Sequence, residues 1–329
     1  MKYQVQTLNK EVSNFIPWNE FIYREDQVKF VLNDLHKTPL PANVQAKFNS
    51  VVVPKSFENF INGIHNLKVY EDDTWVISFP RCGSNWAQEA VWQICNNVDL
   101  NNKSANISLK ERFPVVELSS LIISPDESTL EYVQKMQRPR FIKSHLPIAF
   151  LPKELWEVKP KIVYVSRDPK DAAVSWFHFN QDAYLYQGSL NDFLKLYLEG
   201  HIEYGDYWDH FEQYNLLAKY CSHFKMIKYE EMKKDLKQTL KELCQFLDKP
   251  LTEDNLQTLL HHLSFENMKN NPATNYQDTR EFMKVFRPDN EWKMIRKGQV
   301  GSFKEEMSSE FMKEFDERTK IVKKRLLNA

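Results

Sequence analysis

From Thr74 onward, short apolar runs alternate with stretches of helical periodicity, and that alternation restricts the fold more than any other feature of the chain. Thr74–Phe79 (TWVISF), Arg140–Lys143 (RFIK), Lys161–Ser166 (KIVYVS) and Phe224–Tyr229 (FKMIKY) read as buried strands. Between them, Trp86–Asn96 and Asp168–Asn180 carry apolar residues at helical spacing. In the second of these helices Asp168 is a suitable N-cap, and Pro169 suits the first helical position. Further helices are predicted over Glu230–Leu247, Asp254–Leu263 and Ser308–Leu327. Parallel strands need crossover helices, so the pattern predicts an α/β fold: a single domain with a central parallel β-sheet flanked by helices. Residues 1–70 show no strong periodicity and are expected to form an N-terminal arm packed on the main domain, residues 71–329.

Ligands of such sheets bind beyond the carboxyl ends of the strands. That rule selects Pro80–Trp86, Ser144–His145, Arg167–Asp168 and Tyr229–Glu230. Basic or titratable residues stand at most of these places, which points to an anionic ligand. Glycine sharpens the choice. The chain has 7 glycines in 329 residues, far below the typical ~7%, so each one needs a reason. Gly83 lies in the turn after the first strand, and Gly298 and Gly301 follow Arg296 and Lys297.

In Ser78–Trp86 (SFPRCGSNW) a strand passes through a glycine turn into a helix. Backbone N–H groups and the helix N-terminus there make an anion cradle, with Arg81, Ser84 and Asn85 as further donors. The loop lacks GxxxxGK[ST] and is not a Walker A; the alternative is an ordinary turn with an exposed arginine. Arg167 ends a strand and can bind phosphate in bidentate fashion, or pair with Asp168 or Asp171. Ser175 follows about two turns into the next helix. His145, in Lys143–Pro147, can be a general base or a structural histidine. Arg296–Gly301 (RKGQVG) is a basic glycine loop able to clamp a phosphate, or a solvated charge pair.

Composition removes several classes. The 44 basic and 45 acidic residues give a net charge of -1, so no nucleic-acid partner is expected. Mean hydropathy is -0.58, and no run approaches the ~18 apolar residues of a membrane span. The N-terminus does not read as a secretory signal. Cys82, Cys95, Cys221 and Cys244 lack paired spacing and read as reduced thiols. A soluble cytoplasmic protein is expected. No metal-ligand cluster is seen.

Taken together and in order, these segments resemble the cytosolic sulfotransferase family, over roughly Trp75 to Lys304. The family's TYPKSGTTW stands here as Ser78–Trp86, its KTHLP as Lys143–Pro147 (KSHLP), and its RKGxxG intact as Arg296–Gly301. Its 3′-phosphate segment resembles Val163–Phe179, and its SFxxMKxNP resembles Ser264–Pro272. The resemblance implies a P-loop-like phosphosulfate-binding loop in the sulfotransferase fold. It implies 3′-phosphoadenosine 5′-phosphosulfate (PAPS) as donor, PAP as product, no metal, and a small-molecule acceptor with a hydroxyl or amine. Carried over residue by residue, Arg81, Cys82, Gly83, Ser84 and Asn85 hold the 5′-phosphosulfate. Trp86, Tyr229, Ser264, Phe265 and Met268 surround the adenine. Arg167, Ser175, Arg296, Lys297 and Gly298 grip the 3′-phosphate. His145 is the implied base, with Lys143 beside the acceptor and Arg81 also catalytic.

Three departures stand out. Arg81 replaces the family's catalytic lysine, keeping the charge but not an accessible proton. Arginine here resembles some invertebrate members, including retinol dehydratase, so the alternative outcome is net dehydration through a sulfate ester. Asn85 replaces the loop's second threonine. With Arg81, it is the support for a second alternative, a PAP-binding protein without turnover. The family's dimer motif KxxxTVxxxE is poorly kept at Lys304–Lys313, which leaves a homodimer open.

Overall fold

Strands that are apolar on both sides must be covered on both sides, and this decides the layering. The computed structural model describes residues 1–8, 27–101, 103–121, 128–184, 186–286 and 294–328. Among the described residues, β1 (Tyr3–Thr7), β2 (Gln27–Leu32) and β3 (Ser50–Pro54) make an antiparallel sheet in that order. A second sheet holds β4 (Thr74–Ser78), β5 (Phe141–Ser144), β6 (Lys161–Ser166) and β7 (Phe224–Lys228), all parallel, in the order β5-β4-β6-β7. Trp75, Ile77, Ile162 and Tyr164 face one core, which includes Phe79, Leu146, Val174 and Trp208. Val76, Val163, Val165 and Ile227 face the other, against Ala87, Ala90 and Val91 of the helix Ser84–Cys95 and Leu240 and Leu243 of the helix Leu236–Leu247.

Topology then places the site. The chain leaves β4 for β5 on one side and next crosses to β6 on the other. Adjacent connections therefore depart in opposite directions at the carboxyl end of β4, which opens a crevice there. Pro80–Trp86, His145 and Arg167 are delivered to that crevice by β4, β5 and β6.

The described part of residues 1–70 contains a sheet, which the sequence pattern did not single out. Its inward residues Val28, Phe30, Val51 and Val53 join the same core as Trp75 and Ile77, and Tyr204 N–H donates to the Val52 carbonyl at 2.6 Å. The run Ser50–Pro54 is buried at four of its five positions, so it carries no alternation by which to recognise a strand. Residues 9–26 of the arm lie outside the described residues. The helix expected over Glu230–Leu247 is two, Tyr229–Lys234 and Leu236–Leu247, and Tyr229 begins the first of them rather than ending β7. Asp235 breaks the pair. Its backbone is non-helical (φ -150°, ψ 81°), and its side chain caps the second helix by accepting from Gln238 N–H. Arg140 lies just before β5, fully buried, with its guanidinium on Asp73 at 2.6 and 2.9 Å and on the Lys68 and Val133 carbonyls.

Candidate active site

The cradle is built on unusual backbone. Gly83 (φ 93°) and Arg81 (φ 66°) both sit in the left-handed region ahead of the helix Ser84–Cys95. At Gly83 only glycine fits, since a Cβ would come 2.6 Å from the Tyr229 ring. The turn leaves the first N–H groups of the helix without intrahelical partners, facing the crevice with the positive end of the helix dipole. Arg81 folds across it. Its Nε donates to Ser175 Oγ at 3.1 Å, its Nη2 to the Met294 carbonyl at 2.9 Å, and its guanidinium lies 5.0 Å from the Phe179 ring centre.

Two more guanidiniums converge on it. Arg167 donates to the Arg81 and Gln299 carbonyls, both at 3.1 Å, and stacks on Tyr229 at 4.5 Å. It thereby ties the cradle to the glycine loop and forms no ion pair with Asp168 or Asp171. Asp171 instead anchors the end of that loop, accepting from Gly301 N–H at 2.7 Å and from Ser302 Oγ and Phe303 N–H at 3.2 Å each. Arg296 is paired with Glu306, and Lys297 with Glu305 and Glu306, in the short turn that follows the loop. Burial, and then the charges of Arg167 and Arg296, lower the Arg81 pKa to about 10. Arg167 Nε and Arg296 Nε are buried donors without a partner among the described residues.

The adenine residues expected from the sequence also meet. Trp86 donates its indole N–H to the Leu263 carbonyl at 2.9 Å and packs edge-on against Tyr229 at 5.8 Å. Ser264 caps the helix Phe265–Asn270, and Met268 is buried. Phe265 lies directly on Gly298 (φ 62°), where a Cβ would approach its ring to 2.3 Å. Beside this wall, a hollow of ≈ 520 Å³ is lined by Glu230, Lys233, Lys234, Gly298–Ser302 and Glu305.

At the end of β5 the chemistry changes. His145 Nδ1–H donates to the Ser78 carbonyl at 2.7 Å, which leaves Nε2 with its lone pair. Its backbone N–H donates to Glu117 Oε1 at 2.6 Å, and its carbonyl accepts from His210 Nε2–H at 3.1 Å. His210 Nδ1 accepts in turn from the Tyr164 hydroxyl at 3.0 Å. Tyr204 packs edge-on against the imidazole at 5.3 Å and donates to Glu117 at 3.2 Å. Burial, followed by the Lys143 charge, holds the His145 pKa well below the usual histidine range, so the ring is neutral at pH 7. Lys143 is buried, donates to Asn85 Oδ1 at 3.1 Å, and is lowered to about 7, chiefly by desolvation. Desolvation raises Glu117 to about 7 as well.

The crevice thus gathers the sequence-predicted residues into two clusters. Cys82 is buried and free of any disulfide, its thiol turned to the Pro80 carbonyl at 3.8 Å. Sequence reading missed Glu117, Tyr204 and His210, and named Asp171 only as a pairing alternative for Arg167. The only signal for Glu117 was a lone acid inside the apolar stretch FPVVEL. Leu185 lies outside the described residues, and no helix among the described residues is long and apolar enough to cross a membrane.

Comparison with known proteins identifies the family and the fold. The family model "Sulfotransferase domain" matches residues 71–327. Luciferin sulfotransferase of Photinus pyralis is 36% identical over 286 residues, covering 80% of this chain and 75% of that protein. Sulfotransferase 1B1 of Mus musculus is 33% identical over 253 residues, covering 74% and 80%. Among solved structures, retinol dehydratase in complex with androsterone and inactive cofactor PAP superposes with a TM-score of 0.81 at 23% identity, covering 98% and 96%. Mouse sulfotransferase SULT7A1 complexed with PAP gives 0.64 at 26%, covering 81% and 90%. With its crevice at the β4 switch point and a matching domain along most of its length, the chain belongs to the sulfotransferase family of enzymes.

Proposed function

We propose that this sulfotransferase draws on PAPS and sulfates a hydroxyl, or an amine, of a small apolar acceptor such as a phenol, steroid or retinoid alcohol. The observation that carries the donor assignment is that Arg167 is tied to Arg81 at one helix N-terminus and Arg81 in turn to Met294 at the head of the basic loop, with Arg296 near enough for its charge to act on Arg81. Such a frame suits a nucleotide with phosphate at both ends. The Nε donors of Arg167 and Arg296, unpaired among the described residues, fit the 3′-phosphate. Bound PAPS supplies an activated sulfuryl group whose departure leaves negative charge on the nucleotide's terminal oxygen.

The residues of the chain divide the remaining work. Arg81, Ser84, Asn85 and the cradle N–H groups stabilise the charge that develops at that oxygen. Arg167, Ser175, Arg296, Lys297 and Gly298 hold the 3′-phosphate, the Ser175 hydroxyl keeping its proton to donate while accepting from Arg81. Trp86, Tyr229, Ser264, Phe265 and Met268 bound the base. His145 Nε2 takes the acceptor proton, its ring held neutral and its tautomer set by Ser78. Lys143 sits between cradle and base through Asn85. The aromatic surroundings of His145, including Tyr204, favour an apolar acceptor. On this reading residues 1–70 serve the same domain as 71–329, and the enzyme works in the cytoplasm.

The test is turnover with PAPS and a panel of phenols, steroid and retinoid alcohols, following PAP release and product mass. The reading expects PAP with a product one sulfuryl group heavier. Loss of water from the acceptor would indicate dehydration instead. Tight PAP binding with no turnover on any acceptor would contradict enzymatic transfer.

A further inference from the structure

Behind the nucleotide wall lies a buried charged cluster that none of the roles above uses. Glu89 sits on the helix Ser84–Cys95, three residues after Trp86 and so on the same side of that helix. Its side chain has no exposed surface, yet it accepts from His262 Nε2–H at 2.7 Å and Gln93 Nε2–H at 2.8 Å, and pairs with Arg112 Nη2 at 2.5 Å. Arg112 is itself fixed over the Trp92 ring at 4.4 Å and on the Ile107 carbonyl. Burial alone would raise the Glu89 pKa, but the His262 bond and the Arg112 charge outweigh it and hold the carboxyl below its ordinary range. An ionised carboxylate in this position is costly unless its partners stay in place, so the cluster is a stiff joint rather than a surface pair.

What the joint connects is specific. His262 is the last residue of the helix Glu253–His262. The next residue, Leu263, offers the carbonyl that holds the Trp86 indole. Ser264 caps the following helix, and Phe265 lies on Gly298 of the basic loop. The segment Leu263–Met268 is therefore attached to the cradle helix at Leu263, through Trp86, and at the residue just before it, through Glu89–His262. One hydrogen bond allows the segment to pivot, whereas two fix its angle as well as its distance.

We propose that Glu89 and His262 are a positioning pair for base recognition: their buried bond sets the segment Leu263–Met268 against the cradle helix and so fixes the slot that accepts a purine. This rests on the reading of the crevice as an adenine-nucleotide site. The pair acts through Trp86, Phe265 and Met268 and does not touch the reacting atoms. It governs donor affinity and the choice of base, while the chemistry at His145 is untouched.

The test compares His262→Gln, His262→Asn and His262→Ala in the full chain. Glutamine places an N–H donor where the imidazole Nε2 stands, and asparagine is too short to reach Glu89. Titration with PAP and with guanosine 3′,5′-bisphosphate gives affinity and base discrimination, and steady-state kinetics give kcat at saturating PAPS. For Asn and Ala, PAP should bind about 10-fold more weakly, the scale of one hydrogen bond to a charged group. Base discrimination should fall with it, and kcat should stay within about 2-fold. His262→Gln should keep both. Equal PAP affinity and base discrimination in the Gln and Asn variants would overturn the proposal, as would a parallel loss of kcat. If His262→Ala does not fold, the Gln and Asn pair decides alone. Failure of the unmodified chain to bind PAP would refute the adenine-nucleotide reading and this inference with it, whereas a fault confined to the variants refutes this inference alone.

Discussion

At the donor end of the crevice, Arg167 grips two carbonyl groups, Asp171 grips backbone N–H groups of the basic loop, and Gly83 and Gly298 let rings lie against bare main chain. At the acceptor end, His145 is held by the carboxyl of Glu117, the ring of Tyr204 and the imidazole of His210. The first end is a backbone frame carrying fixed charges. The second is a nest of buried groups displaced from their ordinary pKa values, with Lys143 and Glu117 both near 7. The difference matches the tasks proposed for the two ends. Gripping a polyanion needs charge that never titrates, whereas taking a proton needs a group whose protonation state its surroundings control.

If the two ends are separable, substitutions should divide cleanly between them. The largest effect is expected for His145→Ala, with turnover falling about 10²–10⁴-fold and PAP affinity, by calorimetry, changing less than about 3-fold. A matching loss of PAP affinity would show that the ends are one unit. Arg167→Ala should do the reverse, weakening PAP binding about 100-fold through loss of charge-assisted bonds. Gly298→Ala is smaller. It adds a Cβ 2.3 Å from Phe265 at φ 62°, and the strain should weaken PAP binding about 10-fold.

Glu117→Gln tests the other side through pH. Folding favours the protonated form of Glu117, whose pKa rises from 4.5 to about 7. The stability it contributes is therefore complete below its unfolded pKa and is lost as pH rises through about 7. Thermal melts from pH 5 to 8 should show the variant gaining on the parent chain as pH rises. A difference that does not vary with pH would contradict a buried carboxyl titrating there. Least of all, Tyr204→Phe removes one bond to Glu117 and should cost about 0.5–1.5 kcal/mol in chemical denaturation.

The same contrast explains what could be read from the sequence. The donor frame is written in contiguous segments, because a strand, a glycine turn and a helix must follow one another to make a cradle. Ser78–Trp86 and Arg296–Gly301 could therefore be identified before any fold was known. The supports of His145 come from 28 and 65 residues away, and nothing local to Glu117 or His210 marks them as neighbours. The parallel strands were legible as apolar runs, and β6 falls on its expected bounds. β1–β3 were not, since their pairing is settled by tertiary packing on the Trp75 side of the main sheet. The break at Asp235 was hidden because the apolar periodicity carries on across it, while a single side chain starts a new helix.

The central claim is that Arg81, Arg167 and Arg296 form a frame for phosphate at both ends of an adenine nucleotide. Calorimetric titration of the unmodified chain with PAP and with ADP tests it most directly, because ADP keeps the base and lacks the 3′-phosphate. The account predicts PAP binding at least about 100-fold tighter, the worth of two charge-assisted hydrogen bonds. Equal affinity for the two nucleotides would contradict it.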